Sequence, residues 1–247
     1  MNPRYRPYWA MSAATVLIGS SVVAGKLATM RMPVFLSQAA SLAIALAVLV
    51  PMALADGRHR VRLRKEDMLI LMLQALLGMF LFRVLMLHGL RYASAVETGI
   101  ITSLTPAIIA LLSFVFLRER LTGRLALGIL FSLLGIAVMK APGLFADASG
   151  SGAQGSPLGI LLVVLAVIGE AMLIILRKKS SSAVSPLLGA AYVTFFAFLM
   201  FLPFAAMEAR DYDFARAGVE EIGLIAYYGV FVTAVAYILW FRGISQV

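Results

Sequence analysis

Long apolar runs, each about as long as a membrane helix, follow one another along the whole chain, with short polar segments between them. A run of roughly 20 apolar residues matches a hydrocarbon core ~30 Å thick at a rise of about 1.5 Å per residue. Because the runs are continuous and do not alternate, they favour helices over barrel strands. The pattern predicts an all-α, polytopic membrane helix bundle with eight spans, at 9–29, 34–55, 68–90, 95–117, 124–140, 157–177, 186–207 and 222–243.

Composition supports a lipid bilayer as the main partner. The chain is 62% hydrophobic and 13% charged, whereas soluble domains average about 45–50% apolar and about 25% charged residues. The net charge of +9 does not indicate a nucleic-acid partner, because Lys and Arg fall mainly in short connections between spans and not on one water-facing surface.

Several chemistries lack the residues they need. The chain has no Cys and only two His, His59 and His88, so neither thiol chemistry nor a metal centre is expected. It contains no Gly-x-Ser-x-Gly, no His-Glu-x-x-His and no phosphate-binding Gly-x-x-x-x-Gly-Lys loop. The sequence therefore predicts a non-enzyme with no cofactor and no ATP hydrolysis of its own.

The distribution of Lys and Arg predicts the orientation of the chain. Thirteen of these residues lie on the side of the membrane that holds the N-terminus, and four lie on the other side. Positively charged connections stay in the cytoplasm. We therefore expect a multi-pass protein of the cell inner (plasma) membrane with a cytoplasmic N-terminus.

Two halves of the chain resemble each other at an offset of about 150 residues. Prolines bracket the second span (Pro33, Pro51) and the seventh (Pro186, Pro203), and Ile18-Gly19 recurs as Ile168-Gly169. Because the first unit holds five helices, an odd number, its copy enters from the opposite face, as in many secondary transporters. The predicted organisation is a first repeat at 1–141, an extracytoplasmic linker at 142–156, and a second repeat at 157–247.

The stretch GLRYASAVETGIITSLTPAIIALLSFVFLRERLTG, residues 89–123, resembles the EamA-type members of the drug/metabolite transporter superfamily. The family's Leu-x-Tyr-x-Ser-Ala entry, helix-four Pro and Leu-Gly-Glu-Arg-Leu-Thr exit are matched by Leu90, Tyr92, Ser94, Ala95, Pro106, Leu117, Glu119, Arg120, Leu121 and Thr122. Arg118 replaces the usual Gly, so a locally different exit turn is expected. YILWFRG, residues 237–243, is similar to the family's eighth helix.

The resemblance implies ten helices in two five-helix repeats and export of small metabolites such as amino acids. On that pattern the last two helices are expected to be missing, and the second repeat is incomplete with three helices. The expected partners are a small-molecule substrate, an amino acid or related metabolite, and the bilayer. Neither the oligomeric state nor the coupling ion follows from the sequence.

Charged residues at membrane depth are the first candidates for transport, since each costs roughly 2.5–3.5 kcal/mol on insertion scales. Glu170, in the middle of the sixth span, is either a group that holds a substrate ammonium or exchanges a proton, or a protonated side chain bonded between helices. Arg83 and Glu97 lie on the two arms of one helical hairpin. They form either a structural ion pair or a pair of substrate-recognition charges.

Four further residues complete the candidate set. His88 is expected to be a capping or interfacial residue. Tyr237 and Trp240 form either one aromatic cavity wall or packing contacts, and Ser20 belongs to a Gly-Ser-Ser stretch that permits close helix approach or a wet backbone.

Pro106 is a candidate hinge or cavity-lining kink, because proline lacks an N–H and frees a carbonyl one turn earlier. The alternative is a kink relieved by the hydroxyls of Thr102 or Thr105 without functional meaning. Together these observations predict a secondary transporter that exports small polar metabolites by alternating access, with coupling to protons as one mechanism that the sequence allows. The alternative is a non-transporting membrane scaffold or a truncated homologue.

Overall fold

The structure is a computed structural model in which residues 6–55, 63–118, 123, 126–131, 134, 156–179, 184–214 and 218–244 are described. The elements in these ranges are helices: α1 (Arg6–Arg31), α2 (Val34–Ala55), α3 (Lys65–Ala75), a first π segment (Leu76–Leu81), α4 (Phe82–Tyr92), α5 (Ala95–Thr102), α6 (Thr105–Leu117), α7 (Pro157–Lys179), α8 (Pro186–Asp211), α9 (Val219–Tyr227), a second π segment (Tyr228–Val235) and α10 (Ala236–Ile244).

Seven helices in the described ranges are long and apolar enough to cross a membrane, which confirms the predicted all-α membrane bundle. Three of these spans are composite: α3, the first π segment and α4 form one; α5 and α6 form another; α9, the second π segment and α10 form the last. The fifth predicted helix, at 124–140, lies mostly outside the described residues. So do the exit residues 119–122 and the linker at 142–155.

The spans run antiparallel, so their ends collect at two ends of the bundle. One, the Arg31 end, holds the end of α1, the start of α2, the end of α4 and the starts of α5, α7 and α9. A backbone hydrogen bond from Ser156 N to Tyr92 O (2.8 Å) fixes the start of α7 there. The other, the Lys65 end, holds the starts of α1, α3 and α8.

Helices from the two halves of the chain interleave in pairs. The most extensive packing joins α2 with α8, α4 with α7, and α1 with α10. In terms of the predicted spans these are pairs 2–7, 3–6 and 1–8. In the repeat, spans 1, 2 and 3 correspond to spans 6, 7 and 8. When corresponding spans are exchanged, pair 2–7 stays the same, and pairs 3–6 and 1–8 replace each other. The largest core cluster lies between α2, α3 and α8, around Leu42, Leu71, Met79 and Phe201.

The two π segments occupy matching places in the two halves. Their first residues are 152 positions apart and their last residues 154 positions apart, close to the offset of the prolines. Each holds a glycine at a close helix contact. A Cβ added at Gly78 would lie 2.2 Å from the Leu173 Cβ, and one at Gly229 would lie 2.5 Å from the Ser41 carbonyl oxygen. Such segments are frequent at functional sites of membrane and soluble helices alike.

The span that contains Pro106 is broken into α5 and α6 at Ser103 and Leu104, and Pro106 lies in the first turn of α6. The Thr102 carbonyl, which proline leaves without an intrahelical donor, accepts a hydrogen bond from the Thr105 hydroxyl (2.7 Å). The Thr102 hydroxyl in turn donates to the Gly99 carbonyl (2.9 Å). Threonine hydroxyls thus donate hydrogen bonds to the carbonyl groups at the break.

Arg118 ends α6 in the left-handed conformation, with φ 54°. Glycine adopts this conformation without a Cβ penalty, which is why it commonly follows helix ends. The exit turn therefore keeps the geometry that a glycine would favour, although an arginine occupies the position. The expected local difference is therefore a strained backbone at Arg118 and not a different geometry of the exit turn.

Candidate functional site

A buried arginine lies at the centre of the bundle. The Arg83 side chain, on α4, is 8% exposed. Its Nη1 donates to Gln38 Oε1 (2.6 Å) and to Ser41 Oγ (3.5 Å) on α2, and its Nη2 donates to Thr233 Oγ1 (2.6 Å) in the second π segment. These four residues, here called the Arg83 cluster, join the first half of the chain to the second.

Thr233 connects Arg83 to α1 through further hydrogen bonds. Its hydroxyl donates to the Tyr228 carbonyl (2.9 Å), which leaves the oxygen lone pairs free to accept from Arg83. The Tyr228 hydroxyl then donates to the Ser21 carbonyl on α1 (2.6 Å). Arg83 is therefore connected by hydrogen bonds to three spans besides its own.

Two small cavities lie on opposite sides of this cluster. One, towards the Lys65 end, has a volume of about 10 Å³ and is lined by Gln74, Leu173, Arg177, Gly189, Ala190, Val193 and Tyr237. The other, towards the Arg31 end, has a similar volume of about 10 Å³ and is lined by Ala28, Met32, Ser37, Gln38, Leu224, Ile225 and Tyr228. Each volume is enough for about one water molecule. In both cavities, the lining comes from both halves of the chain.

Tyr237 lies near two charged groups of the interior. It is within electrostatic range of Arg83 and also of Glu170, and it lines the cavity towards the Lys65 end. Trp240, one turn further along α10, is partly buried and lines neither cavity. The structure therefore brings Tyr237, Arg83 and Glu170 into one region and leaves Trp240 outside it.

Glu170 lies on α7 beside the break between α5 and α6. Its Oε2 accepts a hydrogen bond from the Thr105 hydroxyl (3.2 Å) at the first turn of α6. The residue before it, Gly169, lets α7 approach the first π segment, since a Cβ there would lie 2.6 Å from the Leu77 carbonyl oxygen. The tight helix contact and the break together fix the position of this carboxyl group.

Of the two alternatives for Arg83 and Glu97, the structural ion pair is not formed. Arg83 bonds to Gln38, Ser41 and Thr233, whereas the Glu97 carboxylate accepts from the Ser94 backbone N–H (3.1 Å) and the Ser94 hydroxyl (2.9 Å). The Ser94 hydroxyl oxygen accepts from the Glu97 N–H (3.1 Å), which completes a capping box at the start of α5. The reason is local. In a Ser-x-x-Glu sequence the Glu side chain bonds to the free N–H groups at the start of its own helix, and here it does so instead of pairing with Arg83.

Three other candidates lie away from the Arg83 cluster. The Ser20 hydroxyl bonds to the Tyr227 hydroxyl (2.5 Å) and donates to the Leu17 carbonyl (2.7 Å), so it ties α1 to α9. His88 Nδ1 donates to the Val84 carbonyl (2.8 Å) within its own helix. The Pro106 ring is exposed on the described surface of the bundle and lines neither cavity.

Polar contacts join α1 to two other spans at the Arg31 end. Lys26 donates to the Leu90 carbonyl and to the Ala93 carbonyl (3.0 Å) at the end of α4. Arg31 pairs with Glu220 and lies 3.6 Å from Glu221 at the start of α9. These contacts bind α1 to α4 and α9 at the Arg31 end.

Gln38, Ser41 and Thr233 were missed by sequence reasoning, which considered mainly charged and aromatic residues. A signal was present, since Gln38 and Ser41 lie one helical turn apart in a span whose only other polar residue is Ser37. Their partner could not be deduced, because Thr233 lies 150 positions after Arg83. In the described ranges, no group of three or more His, Asp or Glu side chains is placed to hold a metal ion.

Comparison with known proteins assigns the family. The model of the EamA-like transporter family matches this chain twice, over residues 6–140 and residues 157–247. The chain belongs to the EamA-like transporter family. The double match agrees with the repeat seen in the prolines and the π segments, and it makes this protein a multi-pass membrane transporter of the family.

Three relatives of this chain are named as uncharacterized transporters. The uncharacterized transporter YetK of Bacillus subtilis (strain 168) is 38% identical over 97% of this chain and 72% of its own length. YyaM of the same organism is 23% identical over 81% of the chain and 64% of its own length. An uncharacterized transporter of Archaeoglobus fulgidus is 24% identical over 73% of the chain and 60% of its own length. The chain thus spans about two thirds of the length of these relatives.

A solved crystal structure has a fold similar to that of this chain. It superposes with a TM-score of 0.67 at 20% sequence identity, and the match covers 96% of this chain and 78% of the other. At this identity the likeness shows the fold alone.

Proposed function

We propose that this EamA-like transporter exports small polar metabolites, such as amino acids, across the plasma membrane by alternating access between two inverted repeats. The first repeat is residues 1–141 and the second begins at residue 157. The double family match, the matching π segments and the exchangeable pairing of spans support this division. The charge asymmetry supports a cytoplasmic N-terminus in the inner membrane, so the Arg31 end faces outward.

The position of the Arg83 cluster between two cavities carries the proposal. Each cavity is lined by both halves of the chain, and Gln38 and Tyr237, one beside each cavity, lie next to Arg83. A packed polar cluster between the two halves, with a small cavity on either side, is compatible with alternating access by movement of one repeat against the other. Movement of one repeat against the other would enlarge one cavity while the other stays closed.

Glu170 is the proposed coupling residue. It is a carboxyl group within a span, held by Thr105 at the α5–α6 break and in electrostatic range of Tyr237. Ionisable side chains at such depth commonly serve proton or substrate pathways. A proton taken up from one side and released to the other would couple solute export to the proton gradient.

Transport by inside-out membrane vesicles tests this proposal. Vesicles from cells that express the full chain receive a mixture of the twenty labelled amino acids, and uptake is followed with an energised membrane and after addition of a protonophore. We expect wild type to accumulate one or more amino acids above vesicles without the protein. We expect Glu170→Gln to lose this accumulation and the exposed-site control Glu66→Gln to retain it.

Two results would contradict the proposal. Equal uptake with and without the protein for every amino acid removes amino-acid export. Equal uptake by wild type and Glu170→Gln removes Glu170 from the mechanism but leaves export itself intact.

A further inference from the structure

The Arg83 guanidinium has more hydrogen-bond donors than partners. A guanidinium carries five N–H donors, and the described contacts use three, to Gln38, Ser41 and Thr233. The acceptors are one amide and two hydroxyls, so none is charged. The guanidinium, on a residue that is 8% exposed, therefore has two further N–H groups that could bond to a ligand.

We propose that Arg83 is the anchor for a carboxylate on the transported solute, so that the protein selects solutes that carry a carboxylate group. The inference rests on the proposed transport of small polar solutes and narrows their chemical class. A planar carboxylate accepts two parallel N–H bonds from a guanidinium, and this pair is stronger and more directional than bonds to neutral acceptors.

The cost of the charge supports a ligand of opposite sign. A cation held within a span is expensive unless a partner compensates it. The ion pairs in the described part of the chain involve Arg31, which lies at the Arg31 end and not in the interior. A solute carboxylate would supply the negative charge that the described neighbours of Arg83 do not.

Binding at Arg83 also bears on the contact between the halves. The bond to Thr233 is the cluster's link to the second half of the chain, and Gln38 and Ser41 belong to the first half. Each neighbouring cavity holds about one water molecule, so a solute reaches Arg83 only after the halves separate at one end. The solute then occupies the position where this cross-link is made.

Acid and amide pairs of one compound provide the test. Purified full-length protein is reconstituted in liposomes loaded with equal concentrations of the twenty amino acids and their amides, and the solutes that leave are identified by mass spectrometry. Protein-free liposomes give the passive leak. An α-amide keeps the side chain and the amino group but lacks the α-carboxylate. After the protein-free leak is subtracted, the ratio of acid to amide efflux compares transport with and without that carboxylate.

For transported compounds, we expect wild type to release the acid at least about tenfold faster than its amide, as bonds to a charged group commonly contribute. Arg83→Gln should bring this ratio close to one, and Arg83→Lys should lower it about tenfold because an ammonium does not form the paired bonds. Arg91→Gln, a matched change at an exposed arginine of the same helix, should keep the wild-type ratio. A general packing defect would lower acid and amide efflux together.

The inference is overturned if wild type releases acids and amides at equal rates, or if Arg83→Gln keeps the wild-type ratio. Should Arg83→Gln fail to fold, Arg83→Lys provides the test: an unchanged acid-to-amide ratio in that variant also overturns the inference. If no solute leaves wild-type liposomes, the proposal of amino-acid export is refuted. Thermal unfolding then tests carboxylate binding at Arg83 independently of transport. Amino acids that raise the melting temperature of wild type by a few degrees more than their amides, but not that of Arg83→Lys, support the anchor; equal shifts from acids and amides refute it.

Discussion

Replacing Gly169 by alanine should loosen the contact that holds Glu170 beside the α5–α6 break. The added Cβ would lie 2.6 Å from the Leu77 carbonyl oxygen in the first π segment, well inside ordinary van der Waals distance. A backbone carbonyl cannot rotate away as a side chain can, so α7 and the π segment must move apart. Overpacking of this kind costs about 1–3 kcal/mol.

The sequence offers a matched control at Gly19, which occupies the same Ile-Gly pair in the first half. A Cβ at Gly19 meets nothing within 4 Å among the described residues. Both changes gain the same helix propensity, about 1 kcal/mol, so the difference between the two variants isolates the overpacking. We expect Gly169→Ala to be about 1–3 kcal/mol less stable than Gly19→Ala.

Reversible unfolding in mixed micelles, by denaturing detergent or by heat, measures this difference. At about 2–4 °C per kcal/mol for a chain of this size, Gly169→Ala should melt about 2–12 °C below Gly19→Ala. Equal stability of the two variants, or a more stable Gly169→Ala, would refute the close approach of α7 to the first π segment.

Three smaller effects follow from helix ends and the surface. Ser94→Ala removes the capping box of α5 and should cost about 1 kcal/mol in the same unfolding assay; unchanged stability would argue against the cap. Arg118→Gly should raise stability by about 1 kcal/mol, because it relieves the left-handed residue at φ 54°, and a lower melting temperature would contradict that strain. Arg31→Gln should cost no more than about 1 kcal/mol, since Arg31 and Glu220 are both largely exposed, and a loss of several kcal/mol would show that the pair contributes more than its exposure implies.

Much of the architecture could be predicted from the sequence because lipid imposes simple rules. Spans must be long, apolar and helical. The span predicted at 34–55 is found at Val34–Ala55, and the other six spans in the described part of the chain agree with the predictions within a few residues. The break at Pro106 and its relief by Thr105 also follow from local chemistry. Proline removes a donor, and a nearby hydroxyl supplies one.

The interior contacts could not be predicted in the same way. The sequence placed Arg83 and Glu97 on adjacent arms of a hairpin, yet depth along a helix does not determine which face a side chain occupies. Arg83 points to α2 and the second π segment, and Glu97 caps its own helix. The π segments themselves were not anticipated, because a wider helical turn depends on tertiary packing and has no strong sequence pattern.

Site-specific labelling tests the central claim of alternating access most directly, and a chain without cysteine allows it with single substitutions. Ala28→Cys reports the cavity towards the Arg31 end, and Ala190→Cys reports the cavity towards the Lys65 end. A membrane-impermeant thiol reagent is applied from each side, with and without the amino-acid mixture. We expect each cysteine to react from its own side only, and we expect conditions that speed one reaction to slow the other. Reactions that speed up together, or cysteines that stay unreactive from both sides under every condition, would contradict it.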